Sequence, residues 1–452
     1  MRLSKGLFTL LGGFVALKGV VAIDVDPEDE DSLKSAAKTV ATSMMDFYND
    51  RDSKNIPGKL DGTWWEGGSM FMTLIQYWHL TGDDQFNEAI QDGMYWQKGD
   101  DDNYFPSNSS SYLGNDDQMF WGLAAITAAE LNFPEREDEP SWVTLAQGVF
   151  DAQVARWDMT SCNGGLRWQI WPYQGGYGIK NAISNGGLFQ LAARLALYSK
   201  NETFGIWAEK IWDWSQTTPL LRKNWNIADT TNVDAKCKDH GDFQWTYNYA
   251  TYIAGAGYMH NYTNGNSSKW LNGISGMLKV SNQFFPPSGG NEVLSDITCE
   301  PIHKCDRNQI TFKAYFASWL GFMSTIVPSN ATDEVMGKFK ASAVAAGQQC
   351  SGGDDGKHCG IRWTKKAAWD GTTGLEQEMA VLGVLNAVMV PFKAQAPYNS
   401  DNGGKSEAEP TSDKDSNPKT RRITTGDRAG AGILTVVFVG TWVGGLTWAI
   451  WG

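Results

Sequence analysis

Six stretches of 14 to 17 residues, at 64–80, 116–131, 182–198, 247–260, 312–327 and 374–390, are apolar on nearly every side. They start 52 to 66 residues apart. A helix apolar all round must be enclosed by other helices. Between them lie stretches of a different kind. In 141–157, Trp142, Leu145, Ala146, Val149, Phe150, Val154 and Trp157 recur at the three-and-four spacing of a single buried face. Similar amphipathic stretches begin near Leu33, Asp84, Thr203, Ser268 and Asp333. The period exceeds that of the familiar helical solenoids. Six enclosed helices alternating with six amphipathic ones predict an all-α fold, an (α/α)6 barrel over 23–393 with an inner ring wrapped by an outer one. Small residues on the enclosed stretches (Gly122, Ala124, Gly255, Gly257, Gly383) permit close packing.

Each enclosed stretch opens on polar or glycine residues, and a closed ring would gather those openings at one end. They read DGTWWE (61–66), GNDDQ (114–118), IKNAISN (179–185), TYNY (246–249), TFK (311–313) and TGLEQE (373–378). Amides bond hydroxyls as donor and acceptor, and aromatic faces stack on sugar rings. The 21 Trp are material first for the core and then for such stacking. The chemically distinctive element is Asp116-Asp117. Glycosidic cleavage uses one carboxylate and one carboxylic acid, and adjacent carboxyls at a helix start repel until one keeps its proton. Two aspartates can equally serve only to cap a helix. Here they open an enclosed stretch between Asn115 and Gln118, which favours the pocket. Glu376 and Glu378 are secondary pocket candidates, and Lys180 either holds a hydroxyl or pairs with a carboxylate. The run Asp100-Asp101-Asp102 reads as a solvated loop, and His79 and His260 as core residues.

The formal charge of −13 argues against nucleic acid as a partner. No phosphate loop or nucleophile elbow is present, and the cysteines and histidines lack metal-ligand spacing, so neither cofactor nor metal is expected. Residues 1–22 carry Arg2 and Lys5, an apolar run and Val-Val-Ala, the pattern of a cleaved signal peptide. The apolar stretch 433–451 follows a polar segment, 394–426, read as a disordered linker, and the small residues Gly426, Ala429 and Gly430. With no basic residue after it, this reads as a GPI-anchor propeptide over 427–452, attached at Gly426 or Asp427. The expectation is a secreted monomer, anchored at the outer face of the plasma membrane or in the cell wall. Sequons at Asn108, Asn201, Asn261, Asn266 and Asn330 mark surface loops. Six cysteines in an oxidising compartment suggest three disulfides. The sequence-close pairs Cys350–Cys359 and Cys299–Cys305 would leave Cys162–Cys237, one of many connectivities open to six cysteines.

The NDDQ opening, together with KNAISN, TYNY and WWE, resembles glycoside hydrolase family 76 over roughly residues 30–391. That resemblance implies an (α/α)6 barrel and a retaining mechanism with Asp116 as nucleophile and Asp117 as general acid/base. The candidate substrate contacts are Asp61, Trp64, Trp65, Asn115, Trp168, Lys180, Asn181, Asn185, Tyr247 and Asn248. The leader and tail point to the family's fungal GPI-anchored branch. For that branch the donor is an α-mannoside or GPI core glycan, and cell-wall glucan is the acceptor. A surface lectin would use the same Trp and Asn pocket, but it needs no adjacent carboxylates.

Overall fold

The computed structural model describes residues 22–51, 55–288, 291–365 and 369–408. The expected signal peptide, 1–22, lies outside the described residues except for its last residue, and the expected GPI-anchor propeptide, 427–452, with its attachment at Gly426 or Asp427, lies wholly outside them. Among the described residues are twelve α-helices. The inner six are α2 (Trp64–Thr81), α4 (Asn115–Glu130), α6 (Ala182–Ser199), α8 (Thr246–Tyr262), α10 (Arg307–Met323) and α12 (Leu375–Lys393). The outer six are α1 (Glu30–Asn49), α3 (Asn87–Trp96), α5 (Trp142–Ala155), α7 (Glu202–Gln216), α9 (Ser268–Ser281) and α11 (Asp333–Gln348). Each inner helix packs on the next, α2 on α4 through to α10 on α12, and α12 returns to α2, which closes the ring. The (α/α)6 barrel read from the sequence is therefore the fold.

Local chemistry sets the helix starts. Side-chain oxygens of Asp29, Ser141, Asn181, Asn201 and Asp306 accept the first backbone N–H groups of α1, α5, α6, α7 and α10. The ring can close tightly because small residues meet. A Cβ on Gly383 would stand 2.9 Å from the Cα of Ala314, and one on Gly321 would stand 2.8 Å from the Cα of Ala387. The helix α10 begins five residues before its apolar run, carried by a capping box between Asp306 and Gln309.

Two-stranded antiparallel pairs decorate the loops. The pair that matters here is β1 (Ile179–Asn181) with β2 (Thr230–Asn232), which brings the loop before α6 against the loop before α8. The disulfides are Cys162–Cys237, Cys299–Cys305 and Cys350–Cys359, the pairing that the spacing favoured. All five sequon asparagines are exposed, although Asn261 lies in the last turn of α8 rather than in a loop.

The segment read as a disordered linker is bound to the barrel over its first part. The Tyr398 N–H donates to the Glu130 carbonyl, and the Ser400 N–H donates to the Tyr198 carbonyl. Ser406 is buried, accepting from the Val143 N–H and donating to Glu135. Its polar composition suggested a free chain, yet those polar groups satisfy the C-terminal ends of inner helices.

Candidate active site

The inner-helix N-termini meet at one end of the barrel, and Asp116 and Asp117 stand in the first turn of α4. Both are half-buried. Asp117 does cap the helix: its Oδ2 accepts the Gly114 N–H at 2.6 Å. Asp116 Oδ1 accepts the Asp117 N–H at 3.2 Å, and the Trp168 indole N–H also donates to the Asp116 carboxyl. Burial, and then the charge of Asp117, push Asp116 well above the usual carboxylate range against those donors. Burial pushes Asp117 up to about 6. Near neutral pH the pair therefore shares a proton, which before sugar binds rests more readily on Asp116. Capping of α4 and a pair of raised carboxyls thus coincide in the same two residues.

Trp168 reaches Asp116 from the loop between α5 and α6, and that loop is firmly held. The Trp168 N–H donates to the Ile179 carbonyl at 2.7 Å, and the Asn115 N–H donates to the Trp168 carbonyl at 2.9 Å. Across the mouth, Tyr247 lies face to face with Phe312, ring centroids 3.7 Å apart. Burial, then the charges of Asp229 and Asp116, raise the Tyr247 hydroxyl far above its ordinary value, so the phenol stays protonated beside both carboxyls. Trp65 is half-buried, with its ring against Phe120, one turn along α4 from Asp116, and its indole N–H on Asn308.

Several predicted contacts are instead structural. Lys180 is fully buried and points away from the mouth. Its ammonium donates to the Ser161 and Gly164 carbonyls and pairs with Asp158 at 3.3 Å. Asn185 spends its amide on the Leu166 N–H, the Leu166 carbonyl and the Asn181 carbonyl, which leaves nothing for a sugar. Asn115 bonds the Arg167 carbonyl and the Arg156 guanidinium. Asn181 caps α6. Trp64 is buried in the core against Trp121, with its N–H on Gln97. Asp61 stays at the rim, where its carbonyl accepts from Arg307.

Glu376 and Glu378 are likewise occupied, the first by Arg51 and Arg307 and the second by His358 and the Cys359 N–H. Asp102 pairs with Lys98 while Asp100 and Asp101 are exposed, as a solvated loop requires. His79 is buried, and burial lowers it to about 4. Among the described residues no cluster of His, Cys, Asp or Glu could hold a metal ion.

A further carboxyl at the mouth, beside Tyr247, was not read from the sequence. Asp229 is half-buried just before β2, accepts from Asn248 Nδ2 at 2.9 Å and from the Trp245 indole, and is pushed up by burial. The amide nitrogen of Asn248 is thus spent on this third carboxyl. A loop aspartate carries no periodic signal; only the spacing of its partners on the α8 opening marks it.

A closed ring of paired helices that opens on two adjacent raised carboxyls, an indole donor and a stacked tyrosine has the groups that glycosidic cleavage uses. Residues 32–401 match glycosyl hydrolase family 76, and the chain belongs to that family. It is 39% identical to the mannan endo-1,6-alpha-mannosidase DCW1 of Candida albicans, over 95% of this chain and 96% of that protein. It is 34% identical to the mannan endo-1,6-alpha-mannosidase DFG5 of Saccharomyces cerevisiae, over 98% and 97%. Among solved structures it resembles Dfg5 from Chaetomium thermophilum in complex with glucosamine. That likeness has 37% identity and a TM-score of 0.78, and covers 85% of this chain and 96% of that one. The same fold recurs in an alpha-1,6-mannanase of Salegentibacter, at 17% identity and TM-score 0.62, covering 79% of this chain and 99% of that one.

Proposed function

We propose that this chain is a retaining enzyme that cuts an α-1,6-mannosyl bond in mannan or in the mannose-containing core of a GPI glycan. The observation that carries the reading is the adjacent, half-buried pair Asp116 and Asp117 in the first turn of α4, with the Gly114 N–H on one carboxyl and the Asp117 N–H on the other. It is supported by the activity named for relatives that align with nearly the whole chain.

In the first step an Asp116 oxygen attacks the anomeric carbon. The glycosidic C–O bond breaks, and the leaving oxygen takes the proton of Asp117. In the second step Asp117 takes the proton of an incoming hydroxyl, whose oxygen displaces Asp116 and restores the starting anomer. The role of Asp116 requires the shared proton to pass to Asp117 once sugar is bound. The indole of Trp168 and the N–H of Asp117, both aimed at Asp116, favour that carboxylate, as does positive charge developing on the sugar. Asp229, Tyr247 and Trp65 would hold the mannosyl unit. With the leader and the anchor signal, the reading extends to a protein held at the fungal cell surface. There the incoming hydroxyl comes from cell-wall glucan, and the glycan-linked protein is transferred to the wall.

The active form carries one proton on the pair. As pH falls through about 6 the second carboxyl is protonated and the nucleophile is lost; as pH rises through the higher constant the acid is lost. On α-1,6-mannotetraose, proton NMR should show the new reducing end first as the α-anomer, and kcat/KM should fall on the acid side with a midpoint near pH 6. An initial β-anomer, or an acid midpoint at an ordinary aspartate value near 4, would defeat the reading.

A further inference from the structure

The loop that carries Trp168 also carries two aromatic residues that the catalytic scheme does not use. Trp171 is 36% and Tyr173 is 71% exposed. Their rings lie parallel within 4°, with centroids 6.3 Å apart. Exposed aromatics on a long loop ordinarily turn freely, but these two are fixed by their polar edges. The Trp171 indole N–H donates to the Ser110 carbonyl at 2.6 Å, and the Tyr173 hydroxyl donates to the Ser111 carbonyl at 2.8 Å. Gln174 joins the same two loops through the Leu113 carbonyl at 3.3 Å. The polar atoms of both rings are thereby satisfied by main chain, the Phe105 ring centroid lies 6.4 Å from that of Trp171, and the remaining exposed surface of the pair is aromatic.

Their location relates them to the chemistry. Gly114, whose N–H is held by Asp117, is bridged to Gln169 on this loop, and Trp168 of the same loop touches Asp116. We infer that Trp171 and Tyr173 form a glycan platform continuous with the catalytic mouth, binding a neutral pyranose ring of a chain whose scissile or acceptor end lies at Asp116 and Asp117. Apolar faces with fixed, satisfied edges suit the C–H face of an uncharged sugar and lose little side-chain freedom on binding. The inference rests on the glycan-active reading above. The ligand is an extended mannan donor or a glucan acceptor, which share this chemistry.

The test uses the full chain with Asp116→Asn to block turnover, and calorimetric titration with α-1,6-mannobiose, α-1,6-mannotetraose and a linear β-1,3-glucan hexaose. Adding Trp171→Ala or Tyr173→Ala should weaken binding of a long chain about tenfold, and should weaken the disaccharide less. Trp171→Phe, which keeps a ring face and loses the Ser110 bond, should retain most of the affinity. A loss confined to mannotetraose assigns the platform to the donor, and one confined to the glucan assigns it to the acceptor; each supports it. Unchanged affinity for both long chains overturns it, as does no glycan binding at all or an equal loss in Trp171→Phe and Trp171→Ala. If wild-type protein cleaves mannosides while the alanine variants bind like their parent, the platform alone falls. If no mannoside is cleaved yet the variants weaken glucan binding, the mannosidase reading falls and the platform stands.

Discussion

Replacing Asp116 by Asn should lower turnover of α-1,6-mannan by at least about 10⁴-fold, and Asp117→Asn by about 10²–10⁴-fold. Neither change should destabilise the fold. Burial raises both carboxyls, so the ionised form is disfavoured where they stand, and an amide of the same shape removes that penalty. In Asp117→Asn the new amide oxygen can still accept the Gly114 N–H, and in Asp116→Asn it can still accept from Trp168. Tm should hold or rise in both variants. The two should differ with an activated aryl mannoside, whose leaving group needs no proton. That substrate should restore the first step in Asp117→Asn and leave Asp116→Asn inactive. Equal rescue of both variants, or a drop in Tm large enough to explain the lost activity, would count against the assignment.

The second large effect is expected at Lys180, and it should appear as instability rather than as weakened substrate binding. Burial pulls Lys180 down to about 8, which is still mostly charged at neutral pH, and its three acceptors are all in the 158–164 loop. Asp158 meets burial that would raise it. The Ser161 and Thr160 hydroxyls together with Lys180 outweigh that and hold it well below the carboxylate range. Lys180→Met would take the ammonium from the Asp158, Ser161 and Gly164 carbonyls and from the Asp158 carboxylate, although the Gly164 N–H still reaches the Ser161 carbonyl and Arg167 still pairs with Asp158 at 2.9 Å. The expected cost is about 3 kcal/mol, read as a lower midpoint in denaturant unfolding, with the Cys162–Cys237 bridge still closed. Activity would fall as Trp168 loses its setting. A variant of wild-type stability with only a raised KM would mean that Lys180 holds a substrate hydroxyl after all.

Lys180 illustrates what the sequence could and could not convey. The six enclosed helices were legible because being apolar on every side has one structural solution, and their polar openings do gather at the mouth. The fate of each polar residue there was not legible. An asparagine amide serves a sugar hydroxyl or a main-chain carbonyl equally well, and Asn115, Asn181 and Asn185 went to the main chain. The loops they hold are long and aperiodic, so pattern gave no hint that those backbones needed holding. For the same reason Asp229 escaped notice, while Asp116, Asp117 and Tyr247, marked by adjacency or by a place at a helix opening, are brought together with Trp168, a loop residue that carries neither mark. The start of α10 was read at residue 312 because the apolar run begins there, whereas the helix starts at Arg307 through polar residues that a capping box can support. Residues 394–408 looked like a free linker because their composition is polar, and composition does not reveal that helix carbonyls such as that of Glu130 await donors.

Asp116 is the residue expected to attack the sugar. Incubating the protein with a 2-deoxy-2-fluoro-α-mannosyl fluoride, which forms the glycosyl-enzyme but releases it slowly, allows the attacked residue to be found by mass spectrometry of peptides. One fluoro-sugar ester should form on Asp116, present in wild type and in Asp117→Asn and absent from Asp116→Asn. An ester on Asp117 or Asp229, or turnover of α-1,6-mannan by protein that never forms an ester, would contradict it.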